Sequence, residues 1–255
     1  MTDDPTTRFA ALVAAEGRGL PLDTACLLVA AHAIEDLDVD AERSRLDDLA
    51  EAVEGDDVDA VVDHLCGALG FVGDQATYHD AQNSLLPAVL DRRLGIPISL
   101  AIVAIEVGRR RGVPIVGIGM PGHFLIRAED RPDEFVDLFS GGRRLDVVGC
   151  REVFTRIHAT ATWDDGFLAP VGPTLITTRV LANLAAAYRR AGDREGLLWA
   201  LDLRLHLPGA TDRERRELGV LLGASGRFDD GATVLETTGD ERDQRSAARL
   251  RARLN

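Results

Sequence analysis

The chain has 255 residues, enough for one large domain or two modest ones, each burying its own core. Hydrophobic residues make up 45% and charged residues 28%, an ordinary globular balance that excludes extensive disorder. A formal charge of -13 sets up a field that repels polyanions, which excludes nucleic acid and leaves proteins, peptides and small molecules as partners.

From Thr6 to about Leu69 apolar residues recur at three- and four-residue intervals, as in Leu46, Leu49, Ala50 and Val53, and the spacing predicts about four helices with Asp23 and Asp57 as N-caps. Asn83 to Leu90 predicts a short helix. The run GIPISLAIVAIEVGRRRG predicts a longer one, with Pro97 in its first turn and Gly112 and Pro114 ending it. Its apolar part, Ile98 to Val107, contains Glu106 and is far too short to span a membrane, so no membrane association is expected. PIVGIG, HFLIRAE and EFVDLF then predict three antiparallel strands packed on that helix. Beyond Gly172 helices are predicted over Thr174–Arg190, Glu195–His206, Asp212–Ser225, Phe228–Glu236 and Asp240–Leu254, and LANLAAAYRRAGD followed by GASGRFDDGATVLE suggests tetratricopeptide-like helix pairs. The expected architecture is α+β: N-terminal helices and an α/β core with a small antiparallel sheet over residues 1–170, then an all-α region over 171–255.

Cys26, Cys66 and Cys150 form neither a CxxC nor a Cys/His cluster, which predicts a reduced, cytoplasmic setting. The start, MTDDPTTRFAALV, lacks the basic and apolar regions of a secretory signal. Cys26 and Cys66 fall on apolar helical faces and are read as inert, while Cys150 follows the third strand and is a weaker candidate for lying near a site. His32, His64, His158 and His206 have no second ligand at metal spacing and are read as structural; neither a metal nor a cofactor is expected. All 29 basic residues are arginine, which removes lysine Schiff-base chemistry and a self-supplied lysine acyl acceptor. Arg92-Arg93 and Arg109-Arg110-Arg111 are read as cations at helix C-termini.

PGHFLIRAEDRPDEFVDLF carries the chemistry. It places His123 at the start of one strand and Asp137 near the end of the next, where a hairpin sets them side by side as a base and its orienting carboxylate. Gly95, Pro97 and Ala101, with Gly112-Val113-Pro114 beyond them, resemble the transglutaminase-like superfamily pattern GxCxxxA followed by a helix and a Gly-Ile-Pro-like break. That resemblance implies a papain-like core in which a helix N-terminal cysteine precedes the strand histidine and aspartate. It also puts Pro97 where the nucleophile would stand.

The longer run NSLLPAVLDRRLGIPISLAIVAIEVGRRRGVPIVGIGMPGHFLIR, with FVDLFSGGRRL, RVLANLAAAYRR and LHLPGATDRERRELGVLL, is similar to the bacterial family known as regulator of sirC expression. The likeness spans about residues 10 to 240 and implies a transglutaminase-like core joined to a tetratricopeptide-like region, with the loss of cysteine shared by the family.

Ser99 is the alternative nucleophile of a Ser99-His123-Asp137 arrangement. Two helical positions turn it about 200° from Pro97, and a backbone hydrogen bond is its competing fate. Asn83 either caps a helix or donates into the cleft as an oxyanion group, and Tyr78 with His79 and Asp80 lines the rim. Arg179 and Asn183 are placed on a partner-binding groove of the helical array. Two functions follow: a non-catalytic protein- or peptide-binding regulatory module, or a hydrolase or acyltransferase on an amide or ester. A Ser99 hydroxyl within roughly 3.5 Å of a His123 nitrogen separates them.

Overall fold

The computed structural model describes residues 4–16 and 19–254. Four helices come first, α1 (Pro5–Glu16), α2 (Leu22–Ala30), α3 (Val39–Glu51) and α4 (Val58–Val62), the last running on through a π-turn over Asp63–Ala68. Asp57 caps α4 by accepting from the Ala60 N–H. Asp23 does not cap α2. Pro21 holds that position, and Asp23 is the second residue of the helix, buried against arginine.

Strand β1 (Val72–Gly73) pairs in parallel with β2 (Leu94–Gly95). Between them the expected Asn83–Leu90 helix is split into a 3-10 turn, Ala81–Ser84, and α5 (Leu86–Arg92), with Pro87 in the first turn of α5. Helix α6 (Pro97–Arg111) follows at once. Pro97 suits its first position, which has no intrahelical N–H bond to lose, and Gly112 at φ 73° closes it in the left-handed region. Pro97 to Ala104 are all buried, so α6 is the central helix, its charge confined to Glu106 and the arginines of its last turn.

The sheet has five antiparallel strands, not three. β3 (Ile115–Ile118), β4 (Leu125–Ala128) and β5 (Phe135–Asp137) are joined by β6 (Arg143–Leu145) beyond β5 and by β7 (Pro170–Val171) beyond β3. Helix α7 (Val147–Ile157), unforeseen in the sequence, covers one face with Cys150, Val153 and Phe154; α6 covers the other.

The remainder is helical: α8 (Pro173–Ala191), α9 (Arg194–His206), α10 (Asp212–Ala224), α11 (Phe228–Glu236) and α12 (Glu241–Arg251). The expected division at 170/171 falls inside β7, and one apolar core runs from Phe9 through α6 to Leu222. The molecule is thus an α+β fold with helical regions on both sides of a small antiparallel sheet. Among the described residues no helix is long and apolar enough to cross a membrane.

Candidate functional site

The β4–β5 hairpin pairs Ile126 with Val136, which carries residues just before β4 alongside those at the end of β5. His123 sits in a tight turn in which its N–H donates to the Met120 carbonyl and Gly122 takes φ 73°. Its Nε2 lies 3.0 Å from Asp137 Oδ1, so the expected pairing of base and carboxylate is formed. The N–H direction strays from the line to Oδ1, and the contact is an ion-pair approach without a well-aligned hydrogen bond.

Asp137 is buried. Burial alone would raise its pKa, but His123 and the Ser140 hydroxyl, which donates to Oδ2 at 2.8 Å, outweigh it and hold the carboxyl below its ordinary value. The other ring nitrogen of His123, Nδ1, makes no hydrogen bond within the protein, and the residue lines a cleft.

That cleft measures about 250 Å³ and is lined by Tyr78, Pro97, Phe124, Arg179, Asn183 and His123, together with Ile96, Ile98 and Gly122. It brings together residues read separately in the sequence. Tyr78 and Pro97 lie there as expected. Arg179 and Asn183, assigned to a groove of the array, turn the same face of α8 toward His123.

Ser99 is elsewhere. Its side chain is buried, and the hydroxyl donates to the Asn83 carbonyl at 2.6 Å, with the Ile96 carbonyl at 3.0 Å, while accepting from the Ile96 N–H at 3.0 Å. The helical rotation that separates it from Pro97 turns it into the backbone of the preceding segment, so the Ser99-His123-Asp137 arrangement is not formed.

Asn83 is likewise corrected: it neither caps a helix nor lines the cleft. Its Nδ2 donates to the Thr77 carbonyl at 2.8 Å and its Oδ1 accepts from Arg92 at 3.0 Å. Arg92 also reaches Asp74 Oδ2 at 2.9 Å, so it is a bridge and more than a helix-end cation. Asp74 accepts the Thr77 hydroxyl at 2.5 Å and the Thr77 N–H at 2.8 Å, and these bonds hold its carboxyl far below the usual carboxylate range. This network pins the loop that presents Tyr78.

Phe139 completes the wall. Its ring meets Tyr78 edge-on at 5.7 Å and His123 at 6.2 Å, and a Cβ on Gly73 would fall 2.3 Å from it. Asp74, Phe139 and Ser140 were not singled out in the sequence, and Arg92 was read only as a helix-end cation. They act through loops and cross-strand neighbours that spacing alone does not reveal.

None of the three cysteines lines the cleft. Cys150 is fully buried behind the sheet with Leu125, Phe135 and Phe154, and burial pushes its thiol up to about 12. Burial also pushes the half-buried Cys66 up to about 11 and raises Cys26 strongly. Among the described residues no group of three or more His, Cys, Asp or Glu side chains is placed to hold a metal ion.

Comparison with known proteins agrees with this layout. The sequence profile of the transglutaminase-like superfamily matches residues 30–182. A UPF0162 protein of Xylella fastidiosa is 35% identical over 191 residues, covering 69% of this chain and 68% of that protein. One from Pseudomonas aeruginosa is 34% identical over 191 residues, covering 73% and 69%. F-box only protein 21 of Mus musculus is 31% identical over 144 residues, which span 53% of this chain and 22% of that protein. No solved structure gives a significant match.

Proposed function

Since the chain belongs to the transglutaminase-like superfamily, in company with the UPF0162 proteins, we propose that it is a non-catalytic member whose cleft binds a protein or peptide partner in a regulatory role. One observation carries the reading: Pro97 occupies the first position of α6 against His123. At that position proline supplies no thiol. It supplies no N–H either, so both an attacking group and a backbone donor for a developing oxyanion are missing.

His123 and Asp137 retain the means to orient an imidazole and hold a proton, which suits recognition of a polar group. The regulatory half of the proposal rests on the resemblance to the regulators of sirC expression. The helix pairs α8–α9 and α10–α11, read as tetratricopeptide-like, would extend the binding surface beyond the cleft. A reduced, cytoplasmic setting fits three unpaired thiols.

The test is chemical. The purified protein is incubated with a serine-reactive fluorophosphonate and with amide and ester substrates. Neither labelling nor turnover above a His123→Ala control is expected. Labelling that vanishes in Ser99→Ala, or turnover that vanishes in His123→Ala, would reverse the reading.

A further inference from the structure

The cleft holds a cation without an anion. Arg179 extends from α8 so that one terminal nitrogen donates to the carbonyls of Met120 at 3.2 Å and His123 at 3.0 Å, while the guanidinium lies 5.2 Å from the centre of the Phe124 ring. Fifteen other arginines among the described residues lie within ion-pair distance of a carboxylate. Arg179 does not. Burial lowers its pKa, and the group opposing that shift is the Tyr78 phenol, which is not a carboxylate. A half-buried guanidinium answered by two carbonyls and no carboxylate, in a chain of formal charge -13, leaves its charge free for an anionic ligand.

A second group points the same way. The His123 side chain is only 10% exposed, its Nε2 faces Asp137, its Nδ1 makes no hydrogen bond within the protein, and the residue lines the cleft. Tyr78 adds a hydroxyl, Asn183 an amide, and α6 directs the positive end of its dipole at the same space.

On these grounds we infer that the cleft is a carboxylate-binding subsite for a peptide, in which Arg179 carries the charge, His123 Nδ1 and the Tyr78 hydroxyl donate to the carboxylate, and Asn183 meets the adjoining amide. This rests on the binding role proposed above and names its ligand chemistry. Charge decides against a phosphate. One guanidinium faces the cleft and the ionised Asp137 stands behind His123, so the cationic charge offered matches at most a monoanion and leaves a dianion unanswered. Size decides against a large ligand, because about 250 Å³ is below the roughly 300–1,000 Å³ of sites that enclose a whole small molecule and fits a chain end or one side chain.

The test uses the full chain labelled with ¹⁵N, following the His123 ring and Arg179 Nε resonances by NMR. The probes are N-acetyl-glycylglycine as the free acid, the same peptide as its C-terminal amide, N-acetylglutamic acid α-amide, whose only free carboxyl is on its side chain, and inorganic phosphate. Saturable shifts of both resonances by the free acid or the side-chain acid support the inference, and the stronger of the two tells whether the carboxylate is terminal or lateral. The amide should bind at least about tenfold more weakly, a difference of about 1.4 kcal/mol. Arg179→Gln should abolish the shifts and Arg179→Lys should retain part of them, with circular dichroism and melting checked for each. Asn183→Ala, at an exposed position, should weaken binding without affecting the fold. Equal response to acid and amide, no response to either acid, or tighter binding of phosphate overturns the inference. Cleavage of a probe in the same tube would instead defeat the non-catalytic reading and leave the carboxylate site standing.

Discussion

A proline at the first position of a helix is commonplace, and its effect here comes from what faces it. The same ring that starts α6 without cost lines the cleft with His123, while His123 and Asp137 stay joined at 3.0 Å. The pair is also part of the packing. Asp137 contributes stability in its ionised form, because its folded-state pKa lies below the ordinary value of 3.8. A depressed carboxyl adds stability that is fully present above its unfolded pKa and is lost as pH falls from there through the folded value. Asp137→Asn should therefore cost about 1–3 kcal/mol in urea unfolding at pH 7, and the gap to wild type should shrink below about pH 4. A gap unchanged with pH would mean that the loss is one of shape and not of charge. Gly73 acts at the same scale: Gly73→Ala pushes a methyl into Phe139, and the aromatic contacts of His123 and Tyr78 should loosen, seen as altered ring shifts in NMR.

At the scale of elements, α6 and the β4–β5 hairpin make the site, and both were legible in the sequence. Pro97 and Gly112 bracket one, and apolar runs broken by Pro-Gly and Arg-Pro-Asp outline the other. What escaped has a physical reason. β6 is a short strand that begins with two exposed arginines, and β7 is two residues beginning with proline, so neither carries the alternation that marks a strand. The facing of Ser99 could only be stated as a rotation. Its capture by the Asn83 carbonyl depends on where a distant loop returns. The placement of α6 makes a direct prediction. In Pro97→Cys the new thiol sits at a helix N-terminus before His123 and should be alkylated by iodoacetamide at neutral pH much faster than Cys26, Cys66 or Cys150, with an apparent pKa at or below about 7. Adding His123→Ala should slow it. Alkylation no faster than that of Cys66 would mean that Pro97 does not face the imidazole.

At the scale of the whole molecule, the N-terminal helices are fastened to α6 by charge. Arg110, only 9% exposed, reaches Asp23 of α2 at 2.7 Å, Asp47 of α3 at 2.6 Å and Glu106 of its own helix at 2.6 Å. Arg110→Met removes the shortest contact of two buried carboxylates, leaving Asp23 to Arg43 and Arg109 and Glu106 to Arg109, and should cost about 1.5–3 kcal/mol in denaturant unfolding. A loss below about 1 kcal/mol would show the cluster to be solvated. This clamp was invisible in a sequence where the three arginines read as a helix end, because its acids come from elements far away along the chain. Arg179 makes the corresponding tie on the other side, since it is rooted in α8 yet holds the two carbonyls that shape the His123 turn. If the cleft and the array bind as proposed, Arg179 gives the two a shared contact through which their binding would be linked. A protein that docks on the array and shifts α8 changes the affinity of the cleft by some factor, and a ligand in the cleft changes the affinity of that docking by the same factor.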